Sequence, residues 1–136
     1  MKTTKVLKTD ISETTISDVS KKLITSSKNR VAICNANTLV RSVKNIEIRN
    51  SINSFSIKTP DGFPVAKALS FLTKNKFLRV DGYKLFLQTI SDGLKANTRH
   101  YFFGNNEETT LEMIKNLKIK FPNMKISGYI CPENLS

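Results

Sequence analysis

An α/β fold, a Rossmann-like and mainly parallel sheet flanked by helices, is predicted by three features of this chain. Short apolar runs of strand length alternate with longer stripes at helical spacing, a rhythm that implies parallel pairing through right-handed crossovers. Two glycine-bearing turns, Thr59-Pro60-Asp61-Gly62 and Arg79-Val80-Asp81-Gly82, interrupt those runs where open α/β folds keep their chemistry. A length of 136 residues with 39% hydrophobic content suffices for one modest core and gives no sign of a second domain.

Taken in order, Ser17 is placed to cap a helix whose face carries Val19, Leu23 and Ile24, ended by the polar stretch from Thr25 to Asn29. Arg30 to Cys34 reads as a buried strand. From Asn37 the residues Leu39, Val40, Val43, Ile46 and Ile52 recur at helical spacing against Arg41, Lys44, Glu47 and Arg49, predicting one amphipathic helix. Phe55 and Ile57 mark a short strand running into the first glycine turn. Val65, Ala66, Leu69 and Leu72 give the next helical stripe, which fades by Asn75.

After the second turn, Tyr83, Phe86, Leu87, Ile90 and Leu94 predict a helix, Tyr101 to Phe103 a buried central strand, and Gly104 the turn that closes it. Asn106 caps a last helix, with Glu107 and Glu108 suited to its dipole and Leu111, Ile114, Leu117 and Phe121 on one face. Pro122 stops it, and Met124 to Ile130 reads as the final strand.

The formal charge of +11 favours polyanionic partners: nucleic acid, anionic lipid headgroups or phosphate-bearing substrates. The basic residues are scattered singly or in pairs, which is also the pattern of an ordinary solvated surface. A small nucleic-acid-binding module would need a basic face that this pattern does not supply, so no nucleic-acid partner is expected. No apolar run approaches the roughly 20 residues that cross a bilayer, and the polar start resembles no signal peptide, so a cytoplasmic chain is expected. Cys34 and Cys131 stand far apart with His100 as the single imidazole, which argues for reduced structural thiols and against a metal site or a nucleophilic triad. Tyr101, Phe102 and Phe103 lack the glycine-aromatic pattern of a base-stacking platform.

Several residues carry two readings. Asp61 is either a general base presented at a strand's carboxyl end or a turn aspartate bonding nearby amides. Arg79 clamps a phosphate with its planar fork or pairs with a surface carboxylate. Asn35 contacts a substrate or caps the following helix, and local sequence favours capping. Gly104 precedes a helix N-terminus suited to phosphate, but Glu107 and Glu108 would repel an anion there, so it reads as a turn glycine.

In order, Asn35-Ala36, Thr59 to Gly62, Arg79-Val80-Asp81-Gly82-Tyr83-Lys84-Leu85, Tyr101 to Gly104 and Phe121-Pro122-Asn123-Met124-Lys125-Ile126-Ser127-Gly128-Tyr129 resemble the motifs of the WecB/TagA/CpsF family of bacterial glycosyltransferases. The resemblance runs from about residue 30 to 130. It implies a hexosyltransferase that moves an N-acetylmannosamine-like sugar from a UDP-sugar to a polyprenyl-pyrophosphate-linked acceptor in teichoic acid, capsule or related polysaccharide synthesis. It implies work at the inner membrane face and peripheral contact with that anionic surface; with no metal-ligand cluster in the sequence, no cofactor or metal is expected. By the same resemblance Asp61 is the catalytic base, and Asn35, Gly62, Arg79 and Gly82 are substrate-binding positions.

Ile33 and Lys84 depart from the family pattern, where threonine and aspartate are common. Family members also continue into further strands and a basic tail, so residues 1–136 are expected to form a single but incomplete domain. The alternative implied is a truncated, non-catalytic remnant. An apolar sheet edge left by missing strands would favour association into homo-oligomers.

Overall fold

The chain opens with a hairpin that the apolar pattern does not predict. In the computed structural model, which describes residues 1–132, β1 (Thr3–Val6) pairs antiparallel with β2 (Thr9–Ser12), Val6 opposite Thr9. Leu7 supplies the left-handed turn residue at φ 55°, a place usually held by glycine or asparagine. The hairpin stays because Val6 and Ile11 are buried with Cys34, Leu39, Ile52, Val65 and Leu69.

Helix α1 (Ile16–Thr25) starts two residues earlier than predicted. Thr15, not Ser17, is its cap, its Oγ1 accepting from the Asp18 amide at 3.2 Å. Next comes β3 (Val31–Cys34). The single amphipathic helix expected from Asn37 to Ile52 is two, α2 (Ala36–Lys44) and α3 (Ile46–Asn53). Asn45 divides them: its amide donates to the Arg41 carbonyl, closing α2, while its Oδ1 accepts from the Glu47 and Ile48 amides at 2.9 and 3.0 Å, opening α3. Arg49 then donates to the Ser42 and Val43 carbonyls, satisfying the exposed end of α2.

The remaining elements are β4 (Ile57–Pro60), α4 (Phe63–Thr73), α5 (Gly82–Lys95), β5 (Arg99–Phe103), α6 (Glu107–Lys120) and β6 (Lys125–Ile130). They fall into two compact units, Met1–Gln88 and the part from Thr89 onward. In the first unit β3 and β4 run parallel, Val31 opposite Ile57 and Cys34 opposite Pro60. One side of this pair carries the hairpin, α2, α3 and α4 through the cluster around Leu39 and Leu69. The other carries Val19 of α1 and Leu85 of α5 against Ile57 and Val80. Apolar cover on both faces explains why every residue of β4 is buried.

In the second unit β5 and β6 are again parallel, joined through α6, which buries Thr110, Ile114 and Leu117. The expectation that Tyr101 to Phe103 form a buried central strand is corrected here: Tyr101 and Phe103 are 60% and 72% exposed. Alternation of side chains puts both on the uncovered face, where a Cβ on Gly128 would lie 3.0 Å from the Tyr101 ring. Leu111, expected on the buried face of α6, is also exposed.

His100 points to the other face, and its Nε2 is buried with no hydrogen-bond partner among the described residues. Burial lowers its pKa from the ordinary 6.5. As pH falls below about 6.5, the unfolded chain therefore binds a proton that the folded chain still refuses, and stability falls with it. We expect the urea midpoint to drop on acidification through this window, and the drop to be smaller in His100→Gln. Equal slopes in both proteins would contradict this account.

Candidate functional site at the carboxyl ends of two parallel strands

The parallel ladder of β3 and β4 ends at Cys34 and Pro60, so the next residues, Asn35 and Asp61, emerge side by side. Two main-chain hydrogen bonds hold the chain just beyond the ladder. The Asp61 amide donates to the Cys34 carbonyl at 3.0 Å, continuing the pairing one step past the strand. Pro60 has no amide to donate, but its carbonyl accepts from the Val80 amide at 2.8 Å. That bond ties the segment carrying Arg79 to the same strand end. Asn35, Asp61 and Arg79, far apart in sequence, are thus gathered at one edge of the first unit.

The two glycines play different parts. Gly62 has φ 79° and ψ 154°, a conformation open almost only to glycine, and forms the N-cap of α4 with Pro64 following in the first turn. Gly82 begins α5 beside β3, where a Cβ would meet Ile33 Cγ2 at 3.4 Å, an ordinary packing contact.

Asn35 takes the capping role: its Oδ1 accepts from the Thr38 amide and hydroxyl at 3.0 and 3.1 Å. Its Nδ2 has no partner among the described residues. The half-buried Asp61 holds its turn through backbone alone, and its carboxylate makes no hydrogen bond or ion pair among the described residues. The exposed Arg79 guanidinium is likewise unpaired among them. Among the described residues Asp61 therefore does not bond nearby amides through its side chain, and Arg79 does not pair with a surface carboxylate, as their second readings allowed.

Beside this edge lies an open cleft of about 1100 Å³. Its walls are mainly apolar, from Ile16, Phe63, Ala66, Phe77, Leu78 and Val80, with Thr14, Thr15, Ser17 and Ser70 among them. Four cations, Lys67, Lys76, Arg79 and Lys84, line it together with one acid, Asp81. Asp81 caps α5 by accepting from the Lys84 amide at 2.9 Å. Asp61 itself does not line the cleft; Phe63, two residues on, does. The strip from Gly62 to Val80, with Lys67, Lys74, Lys76 and Arg79 but no acidic residue, is the signal that foretells the cationic wall. Nothing comparable in sequence marks Thr14 to Ser17.

Cys34 is fully buried beneath Asp61, and its thiol is pushed up to about 11, mainly by burial, with Lys58 opposing and Asp61 adding to the rise. Among the described residues, no three His, Cys, Asp or Glu side chains are grouped to hold a metal ion.

A strand-end carboxylate, an arginine unpaired among the described residues and a cation-lined cleft thus meet on one unit of a Rossmann-like α/β scaffold, an arrangement suited to anionic ligands. The chain belongs to the glycosyl transferase WecG/TagA/CpsF family, whose model matches residues 4–134. Among curated proteins it is similar to the N-acetylglucosaminyldiphosphoundecaprenol N-acetyl-beta-D-mannosaminyltransferase of Bacillus spizizenii, strain W23, at 28% identity over 78 residues. That match takes in 57% of this chain and 30% of the relative, so the shared stretch is under a third of the relative's length.

Two outcomes test this geometry. Gly62→Ala meets no clash, its nearest neighbour being Pro64 Cδ at an ordinary 3.8 Å, so its cost is conformational, and a loss of about 1–3 kcal/mol in urea unfolding is expected. In thiol labelling of the folded protein at neutral pH, Cys131, which is only half buried, should react first. Cys34 should wait for unfolding. Equal rates for the two thiols would mean that the base of the site is open.

Proposed function

We propose that this chain carries out hexosyl transfer in cell-surface polysaccharide or teichoic acid synthesis, with a UDP-sugar as donor and a polyprenyl-diphosphate-linked sugar as acceptor. The single observation that carries the reading is the convergence of Asp61 and Arg79 on the carboxyl ends of β3 and β4, in a chain of this family. The activity for which the relative is named supplies the sugar and acceptor classes: an N-acetylmannosaminyl group and a GlcNAc diphosphoundecaprenol. The lipid anchor of such an acceptor would set the reaction at the inner membrane face. No helix among the described residues is long and apolar enough to cross the bilayer.

In this mechanism the Asp61 carboxylate removes the proton of the acceptor hydroxyl as its oxygen attacks the anomeric carbon of the donor. The bond from that carbon to the diphosphate oxygen breaks, and the electron pair leaves on UDP. The Arg79 fork stabilises the charge that builds on the departing diphosphate, and the other cations of the cleft reinforce it. Asn35 Nδ2 and the backbone at Gly62 and Gly82 position sugar and phosphate groups.

Asp61→Asn keeps the shape and both backbone bonds of the turn while removing the base. Transfer from UDP-N-acetylmannosamine to a polyprenyl-diphosphate GlcNAc acceptor should fall by about 10²–10⁴, with UDP binding retained. Arg79→Ala should weaken both. Undiminished turnover in Asp61→Asn would remove that residue from the chemistry.

A further inference from the structure

We infer that the outer face of α4, continued by residues 74–79, is a docking surface for an anionic lipid bilayer. Helix α4 buries Val65, Ala66 and Leu69 on one side. On the opposite side Phe63, Lys67 and Phe71 recur at four-residue spacing and form one stripe, ended by Lys74, which turns the chain in the left-handed conformation at φ 57°. Phe71 is 84% exposed and Leu78, in the next segment, 75%. Lysine and aromatic share the stripe closely: Lys67 Nζ sits 5.6 Å from the centre of the Phe63 ring.

Charge decides the occupant. Between Gly62 and Val80 the chain has Lys67, Lys74, Lys76 and Arg79 and no acidic residue. Asp61 and Asp81 flank the strip, the first tied by its amide to the strand end and the second engaged as the cap of α5. Two copies meeting through this face would bring like charges together, which opposes a symmetric dimer. A protein partner is also disfavoured, because the centre of a protein interface is depleted in lysine, whereas here Lys67 stands between the two phenylalanines. Aromatic and leucine side chains interleaved with lysines suit the headgroup boundary of a bilayer. There the rings enter the acyl region and the ammonium groups reach back to lipid phosphates. Phe63, Lys67, Lys76, Leu78 and Arg79 also line the cleft, so this docking opens the cleft onto the membrane.

Membrane docking rests on the proposed use of a lipid-linked acceptor, but vesicle binding requires neither donor nor acceptor. Failure of the transfer assay and failure of the vesicle assay are therefore separate results. The test is cosedimentation of the full chain with vesicles of equal parts phosphatidylglycerol and phosphatidylcholine, and with phosphatidylcholine alone. Binding is expected to the anionic vesicles only. Phe71→Ser with Lys74→Glu, both outside the cleft lining, should weaken it by about 30-fold. Lys118→Glu, the same charge change at an exposed position of α6, should leave binding near wild type. An unchanged melting curve identifies variants that fold. The inference is overturned if the chain fails to bind anionic vesicles, if the α4 variant binds as well as wild type, or if Lys118→Glu weakens binding as much as the α4 variant does.

Discussion

The arrangement of the candidate site depends on the carbonyl oxygens of Cys34 and Pro60, the last residues of two paired parallel strands. Each accepts an amide from outside the ladder, Asp61 in one case and Val80 in the other. Proline at the end of β4 suits this because it withholds a donor while leaving a free acceptor, so a third segment can attach without extending the sheet. No side-chain bond between Asn35, Asp61 and Arg79 is needed to bring them together. Their carboxylate and guanidinium stay available because the main chain does the positioning.

That positioning is only as rigid as the strand beneath it. β4 is buried along its whole length because helices of opposite sides, α4 and α1 among them, cover it, and its polar groups are accommodated rather than excluded. Lys58 donates its ammonium to the Phe55 carbonyl at 2.9 Å, and its amide meets Ser12 Oγ at 3.1 Å. Ser12 belongs to the opening hairpin, so a segment remote from the site helps hold the strand that presents Asp61. The hairpin is held in turn by the buried hydroxyl pair of Thr9 and Ser42, 3.1 Å apart.

The elements most legible in the sequence are those with a strong apolar period or a glycine break. The strand running into the first glycine turn, the helix after Gly62 and the helix after Gly82 all form, although Phe55 falls outside that strand and Leu72 of the apolar stripe is exposed. Where one residue acts against the period, the reading fails: Asn45 splits an unbroken apolar stripe because one side chain both ends and starts a helix. The hairpin at Leu7 escapes notice since its turn lacks glycine, and its strands are only four residues long. Tyr101 and Phe103 mislead for another reason, as aromatic content marks a strand but not which of its faces is covered. For the site, the glycine turns point to Asp61 and Arg79, and the parallel rhythm implies that strand ends share one edge. The wall from Thr14 to Ser17 depends on how the connection from β2 to α1 is folded over, a tertiary fact with no local signature.

The cation-lined cleft and the outward face of α4 share residues, and this overlap constrains what each can be. Lys67 and Lys76 border an apolar hollow, where a fully hydrated anion would gain little from the walls and an apolar ligand little from the lysines. A ligand with both characters, a diphosphate joined to a hydrocarbon chain, satisfies both at once. Under the proposed function such a ligand would come from a membrane, and the lysine-phenylalanine stripe beside the cleft has the composition proposed to rest on one. On that proposal the absence of acidic residues from Gly62 to Val80 would serve two ends, since one carboxylate in that strip would repel a ligand's phosphates and lipid headgroups together.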